Sequence, residues 1–423
     1  MEYGVPSQKK IYLKGMAGEI PRIPVYYKRL EELAEAKLSE EAFAYIAGGA
    51  GAGVTMQANR LAFDDYPLKA KMMSSVSEVD LSIDLLGREY KTPLFAAPIG
   101  VLELAHKEAD EAVAKACSRL EIPMMFSSQA SVDMETCARA MGEGPRWFQL
   151  YWSKSDELVK SFVRRAERCG CDAIVVTLDT TSLGWRPMDL DLAYLPFLRG
   201  MGLAQYSSDP VFQSIVEHQL QNPPAKNTES PALNLTTLKN LIGLCYHYPG
   251  GFFNNLISKR ALTAVRTFID IYMRPELRWN DLHRLREMTS LPIWIKGIHR
   301  VDDVEKALKA EVSGIIVSNH GGRQIDGGIG ALHALDRIAT HYKGQIPILF
   351  DSGIRTGADV IKAIALGADG VLIGRPYVYG LSLAGEKGVE DVFRFLLAEI
   401  ELQLSLMGVS SVRELSRKQV IFR

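Results

Sequence analysis

From Pro93 onward, short apolar runs alternate with longer amphipathic stretches. The apolar runs are Pro93–Ile99, Pro123–Ser128, Trp147–Tyr151, Ala173–Asp179, Pro292–Gly297, Gly314–Asn319, Pro347–Asp351 and Gly370–Gly374. Continuous apolar runs of this length suit strands covered on both faces. Between most of them, Lys107–Leu120, Asp156–Cys169, Val301–Ala310, Leu332–His341 and Ala358–Leu366 repeat apolar residues at helical spacing. Eight strands alternating with helices predict an α/β fold, the parallel (β/α)8 or TIM barrel. An open doubly wound sheet is the second possibility. No G-x-G-x-x-G follows an early strand, which counts against a dinucleotide-binding fold.

Two regions depart from the alternation. Residues 1–25 read as irregular, broken by Pro6, Pro21 and Pro24, and Tyr27–Ala47 reads as helical. The organisation expected is an N-terminal helical extension over residues 1–90 and a barrel over 91–423. Tyr45 precedes a glycine cluster, Gly48-Gly49-Ala50-Gly51-Ala52-Gly53. The cluster reads either as a helix end followed by a flexible loop, or as the rigid end that aims Tyr45 at a site. The second departure follows Asp179: the next strand waits until Pro292. An insert of about 188–278 holds Pro196, Pro210, Pro223, Pro224, Pro231 and Pro249 among many aromatics. It is a candidate lid over the active-site face, or a surface insert that packs on a partner. The run Phe252–Ile257 argues against full disorder.

Composition narrows the class. The chain of 423 residues carries a formal net charge of -1, which gives no reason to expect nucleic acid or an anionic membrane as partner. Apolar runs are too short to span a bilayer. Cys117, Cys137, Cys169, Cys171 and Cys245 lack metal spacing and read as free thiols in a reducing compartment. There is no apolar leader, and Ile421-Phe422-Arg423 is not a peroxisomal tripeptide. The expected location is cytoplasmic.

The chemistry gathers where strands stop, the face on which barrels of this kind place their sites. The sixth run ends in Ser318-Asn319-His320-Gly321-Gly322-Arg323-Gln324. His320 can take a proton near neutral pH, and Arg323 can grip a carboxylate through two parallel hydrogen bonds. The other ends supply Gln149 and Tyr151, Thr177 and Asp179 with Arg186 beyond, Lys296, and Asp351. Gly353 and Arg355 after the seventh strand, with Gly374 and Arg375 after the eighth, suit a phosphate. Any one of these has a structural reading, such as a helix cap or a satisfied core amide. Their convergence on one face suggests a site that removes a proton from a small carboxylic acid.

These residues carry a resemblance. From about Tyr45 to Leu415 the chain is similar to the FMN-dependent α-hydroxy acid oxidase family. Gly184-Trp185-Arg186-Pro187, Phe197-Leu198-Arg199-Gly200 and Asp209-Pro210-Val211-Phe212 resemble its lactate 2-monooxygenase branch, which also carries a long insert after strand four. The resemblance implies FMN as cofactor and a small L-2-hydroxy acid and O2 as substrates, in a homotetramer or octamer. It implies His320 as base with Asp179 behind it, and Arg186, Arg323 and Tyr45 on the substrate carboxylate. Tyr151 would bond the substrate oxygen, and Lys296 would stabilise the reduced ring. Ala97, Pro98 and Gly100 would lie along the flavin, with Ser127, Gln149, Thr177 and Ser318 around its edges. Asp351, Gly353, Arg355, Gly374 and Arg375 would take the ribityl chain and phosphate.

The chemistry agrees with those roles. Oxidising an α-hydroxy acid needs a fixed carboxylate and a base for the hydroxyl proton. An adjacent carboxylate should raise the histidine pKa. Gly100 stands where glycolate and lactate oxidases carry alanine, leaving room beside the ring, and Gln129 replaces an aromatic of glycolate oxidase. Oxidative decarboxylation is the expected outcome. The alternatives are a plain oxidase, a dehydrogenase with another acceptor, an isoprenyl diphosphate isomerase barrel, and a barrel that binds without catalysis.

Overall fold

The computed structural model describes residues 2–223 and 234–422; Pro224 and Pro231 of the insert lie outside the described residues. All eight expected strands form, six of them shorter than their apolar runs and two of equal length but shifted by one residue. They are β1 (Leu94–Ala96), β2 (Met124–Phe126), β3 (Arg146–Leu150), β4 (Ile174–Thr177), β5 (Ile293–Ile298), β6 (Gly314–Val317), β7 (Ile348–Phe350) and β8 (Gly370–Ile373). They close in that order, with β8 beside β1 and neighbours parallel. Helices cover the strands outside, which is why the strand residues read as unbroken apolar runs.

The end of the barrel where strands begin is plugged by aromatic rings. A hairpin missed in the sequence, Ile83–Leu85 with Arg88–Tyr90, stands ahead of β1. The Tyr90 ring lies 5.4 Å from Phe95, and its hydroxyl accepts from Trp147 Nε1 at 3.4 Å. Trp147 in turn packs 5.1 Å from Trp294. With that end filled, polar groups are left for the other.

The N-terminal reading needs correction. Residues 1–25 are not irregular throughout, because Gly4–Gly15 is a helix. Its first amides have no local cap. Instead the buried Glu401 carboxylate accepts from Glu2 N at 2.7 Å, Tyr3 N at 3.1 Å and Gly4 N at 2.6 Å. The partner comes from a helix almost 400 residues away, so no local pattern announces it. The helical stretch beyond is two helices, Tyr27–Lys37 and Glu40–Ala47.

Most of the insert lies on the barrel flank. Its helices Pro210–Gln221 and Arg260–Ile271 build a second aromatic cluster against the barrel helix Asp156–Arg168. Phe162 of that helix meets Tyr206 at 5.0 Å, Tyr206 meets Phe268 at 4.8 Å, and Phe268 stacks on Tyr272 at 4.5 Å. Arg165, also on the barrel helix, reaches the fully buried Asp209 at 3.2 Å and Glu135 at 2.8 Å. Among the described residues of the excursion, those that border the cavity described next are Thr180, Leu183 and Arg186, at its start.

Candidate active site

A cavity of about 1070 Å³, its open mouth included, sits where the strands end. The loop after β6 forms one wall. His320 adopts a left-handed backbone (φ 58°), a conformation uncommon outside glycine. Ser318 Oγ accepts from its amide at 3.0 Å, and Ser352 Oγ accepts from Gly321 N at 2.9 Å. Asn319 exchanges two amide bonds with Asn59, at 2.8 and 2.7 Å. The two glycines are required sterically. A Cβ on Gly321 would lie 2.8 Å from Arg375 Nη1, and one on Gly322 would lie 2.6 Å from Met56 Cγ.

This loop also settles the two readings of Tyr45. Ala50 N bonds Gly322 O at 2.9 Å, Gly51 N bonds Trp185 O at 2.9 Å, and Asp326 accepts from Ala52 N at 2.7 Å. The glycine cluster is pinned rather than loose, and Tyr45 lines the cavity. Its buried ring stands edge-on to Phe197 at 6.4 Å and carries Arg323 at 5.3 Å.

His320 Nδ1 lies 2.9 Å from Asp179 Oδ1, with Thr180 Oγ1 bonded to the same oxygen at 3.1 Å. The expected upward shift of His320 is not found. Burial pushes its pKa down, the Asp179 charge pulls it up, and burial wins. Burial likewise works against the charge on Asp179, yet His320 and Lys296 hold its pKa below the usual carboxylate value. The pair therefore rests as neutral imidazole beside carboxylate. The Nδ1 proton is then donated to Asp179, which leaves Nε2 as the free base. If proton removal by His320 limits the reaction, kcat/KM should stay high at neutral pH and fall only below about pH 6.5, the unperturbed histidine value. A pH profile of flavin reduction with an acid limb above neutrality would contradict that reading.

Arg186 is buried and Arg323 half-buried, and both line the same cavity. Arg186 donates to Gln324 Oε1 at 3.1 Å and to Arg323 O at 3.3 Å, and Arg323 donates to Gly48 O at 2.7 Å. Burial and the charges of Arg186 and Arg375 push the Arg323 pKa down, to about 9. It remains a cation at neutral pH, but one in need of an anion. Tyr151 lines the same space, and burial, reinforced by Asp179, holds its hydroxyl protonated.

The remaining expected residues divide into two groups. Ala97, Pro98, Gly100, Lys296, Asp351, Gly353, Arg355, Gly374 and Arg375 all border the cavity. Lys296 Nζ is buried and bonds Ser318 Oγ at 2.8 Å and Asp351 Oδ2 at 2.9 Å. Burial opposes its charge, but Asp351 and Asp179 keep it protonated. Arg375 spans the carbonyls of Ile46, Gly48 and Gly321 at 3.0–3.1 Å. Ser127, Gln149, Thr177 and Ser318 are buried behind the cavity surface rather than on it. Gln149 Oε1 accepts from Ser127 Oγ at 3.4 Å, and Gln149 Nε2 donates to Thr177 Oγ1 at 3.0 Å.

The space expected at Gly100 is also taken. A Cβ there would lie 3.0 Å from Gln129 Cβ, so Gln129 occupies the room alanine would need. Thr180 and Ser352 escaped the sequence reading. Each directly follows a strand-end aspartate, Asp179 or Asp351, which is the signal that could have drawn them in.

The cavity fits a flat, phosphate-tailed cofactor. Apolar Ala97, Pro98, Ile99 and Leu372 face a buried lysine, and two arginines stand beside open glycine backbone. A Cβ on Gly374 would meet only Ile99 Cδ1, at 3.7 Å, so the backbone there is accessible to a ligand. A histidine base and two arginines border the same cavity as this slot.

Comparison with known proteins narrows the class. The profile of the FMN-dependent dehydrogenase family matches residues 34–422. The FMN-dependent alpha-hydroxy acid dehydrogenase qulF of Penicillium citrinum is 39% identical over 411 residues, 97% of this chain and 94% of that protein. The L-lactate oxidase of Lysinibacillus sphaericus (strain C3-41) is 37% identical over 405 residues, 96% and 94% of the two. A crystal structure of mandelate oxidase superposes with TM-score 0.74 at 30% identity, covering 95% of this chain and 98% of that one. The chain belongs to the FMN-dependent α-hydroxy acid oxidase family, and FMN is its cofactor. Its reaction class is FMN-dependent oxidation of 2-hydroxy acids. Among the described residues, no helix is long and apolar enough to cross a membrane.

Proposed function

We propose that the protein oxidises a small L-2-hydroxy acid of the L-lactate type with O2 and decarboxylates the product, giving the shortened acid, CO2 and water. The observation that carries the first half is the His320–Asp179 pair at 2.9 Å, with His320 lining the same cavity as Arg186 and Arg323. The arginines and Tyr45 hold the carboxylate. Tyr151 bonds the hydroxyl oxygen, and His320 Nε2 removes its proton while Asp179 steadies the resulting imidazolium. Bound FMN would supply the two-electron acceptor for the α-hydrogen and its electron pair, with O2 as the final oxidant. Ala97, Pro98 and Gly100 would hold it from the cavity wall, and the buried Lys296 would supply positive charge beside it. Ser127, Gln149, Thr177 and Ser318, expected at its edges, would act from behind the cavity wall, where Ser318 holds Lys296 and Gln149 links Ser127 to Thr177. Asp351, Gly353, Arg355, Gly374 and Arg375 hold its ribityl chain and phosphate.

The second half rests on retention of the keto acid. Oxidation alone converts L-lactate and O2 to pyruvate and hydrogen peroxide. If both stay in the cavity, peroxide attacks the keto carbon, the carbon–carbon bond to the carboxylate breaks, and acetate, CO2 and water result. Leu183 and Arg186 of the excursion after β4 border the cavity and support retention. A second reading, the plain oxidase that releases keto acid and peroxide, is supported by the 37% identity to an L-lactate oxidase. Turnover of L-lactate with CO2 and peroxide both quantified separates them. Near-stoichiometric CO2 with little peroxide is expected; stoichiometric peroxide with free pyruvate would assign the plain oxidase.

For assembly we propose a homotetramer or octamer in the cytoplasm, and for organisation a helical extension over 1–90 docked on the barrel with an insert of about 188–278. The pinned glycine cluster and the Glu401 cap support the docking.

A further inference from the structure

Three residues beyond Arg186 stands a group that the catalytic scheme leaves unused. Asp189 is 8% exposed, and its Oδ1 is buried without a hydrogen-bond partner. It lies in the first turn of the short helix Pro187–Asp191, which Arg186 opens. Spacing of three residues places Arg186 and Asp189 on one side of that turn. The turn is fixed: Leu190 N bonds Arg186 O at 3.0 Å, and Tyr194 N bonds Asp189 O at 2.9 Å. Met188 of the same helix packs against the Gly48 backbone, whose carbonyl holds Arg323. Asp189 is not among the residues that border the cavity.

A buried carboxylate oxygen without a donor is costly, and what offsets the cost here is charge. Burial raises the Asp189 pKa, while Arg323 and Arg186 pull it back. The same aspartate acts on Tyr45 and on Arg323 from its side. The other acidic groups of the site have nearer partners: Asp179 is bonded to His320, and Asp351 to Lys296. Arg375 also acts on Arg323 but is assigned to the cofactor phosphate, which leaves two guanidinium charges at the carboxylate grip against the single Asp189 charge.

We propose that Asp189 is a specificity-determining positioning residue that cancels one of the two arginine charges and so matches the grip to a monocarboxylate. With Asp189 ionised, a single carboxylate completes neutrality around the arginines. A dicarboxylate brings a second negative charge into a buried space that already holds one. Selection for 2-hydroxy monoacids over 2-hydroxy diacids follows. The proposal rests on the reading of Arg186 and Arg323 as the carboxylate grip.

The test uses FMN-loaded enzyme and two unreactive acids, propanoate and malonate, each titrated at about pH 8 against the flavin absorbance. At that pH both probes are fully ionised. The variant Asp189→Asn removes the charge and keeps the shape. Loss of a unit charge several Å away, at an effective dielectric of about 20, should tighten propanoate about tenfold or more. A dianion feels twice the potential, so malonate should tighten by about the square of that factor, roughly 100-fold. An unchanged malonate-to-propanoate ratio overturns the proposal, as does equal weakening of both, which marks Asp189 as a packing residue. If Asp189→Asn does not retain FMN, Asp189→Ser carries the same comparison with the same outcomes. A parent enzyme that binds neither acid defeats the underlying grip instead, before any variant is compared.

Discussion

Replacing His320 by alanine is expected to slow reduction of the bound flavin by L-lactate by about 10²- to 10⁴-fold, the range a positioned general base supplies. The geometry explains why nothing nearby can substitute. Asp179 lies behind the imidazole, bonded at 2.9 Å, and its proton affinity is held down by His320 and Lys296. Tyr151 faces the cavity with its phenol protonated, so it offers a proton rather than taking one. Lys296 stays cationic against Asp351. Alanine at a left-handed backbone position costs roughly 1–2 kcal/mol, which the bonds from Ser318 and Ser352 to this loop should withstand. FMN content and far-ultraviolet dichroism should therefore match the parent. The measurement is anaerobic stopped-flow bleaching at saturating L-lactate. Parental bleaching by the alanine variant would remove His320 from the proton step.

The parts visible in the chain were those where one physical rule dominates. Strands covered on both faces must be apolar throughout, so all eight barrel strands could be read from runs such as Gly314–Val317. The site could be placed because strand ends converge in a barrel. His320 and Arg323 lie more than 130 residues from Asp179 and Arg186, yet share one cavity wall or its backing. The helix Gly4–Gly15 was invisible because its cap belongs to Glu401. The hairpin Ile83–Leu85 with Arg88–Tyr90 was too short for its period to show. The sign of the His320 shift was misjudged because sequence names the partner, Asp179, and is silent on burial. Gly100 misled in a related way. A missing side chain reads as space, but the structure gives that space to Gln129.

The second large effect concerns Arg186. Substitution by methionine, which keeps most of the stem volume, should lower kcat/KM for L-lactate by about 10²- to 10³-fold. The figure corresponds to roughly 3–4 kcal/mol, the loss of charge-assisted bonds in a buried site. Two consequences pull in opposite directions. Tyr45 loses the cation that stabilises its bond toward the carboxylate, which weakens the grip further. Arg323 loses a repulsive neighbour, so its own charge is held more firmly and part of the binding survives. Most of the loss should appear in KM, because Arg323 and Tyr45 still bring the substrate under His320 once it is bound. Arg186 also donates to Gln324 Oε1 and Arg323 O, but Gln324 keeps bonds to Asp179 O at 2.7 Å and Ser182 O at 2.9 Å, which preserve the loop. Steady-state kinetics with L-lactate, beside propanoate titration of the same variant, check both parts. A methionine variant with parental KM and parental propanoate affinity would take Arg186 out of the carboxylate grip and leave Arg323 alone to form it.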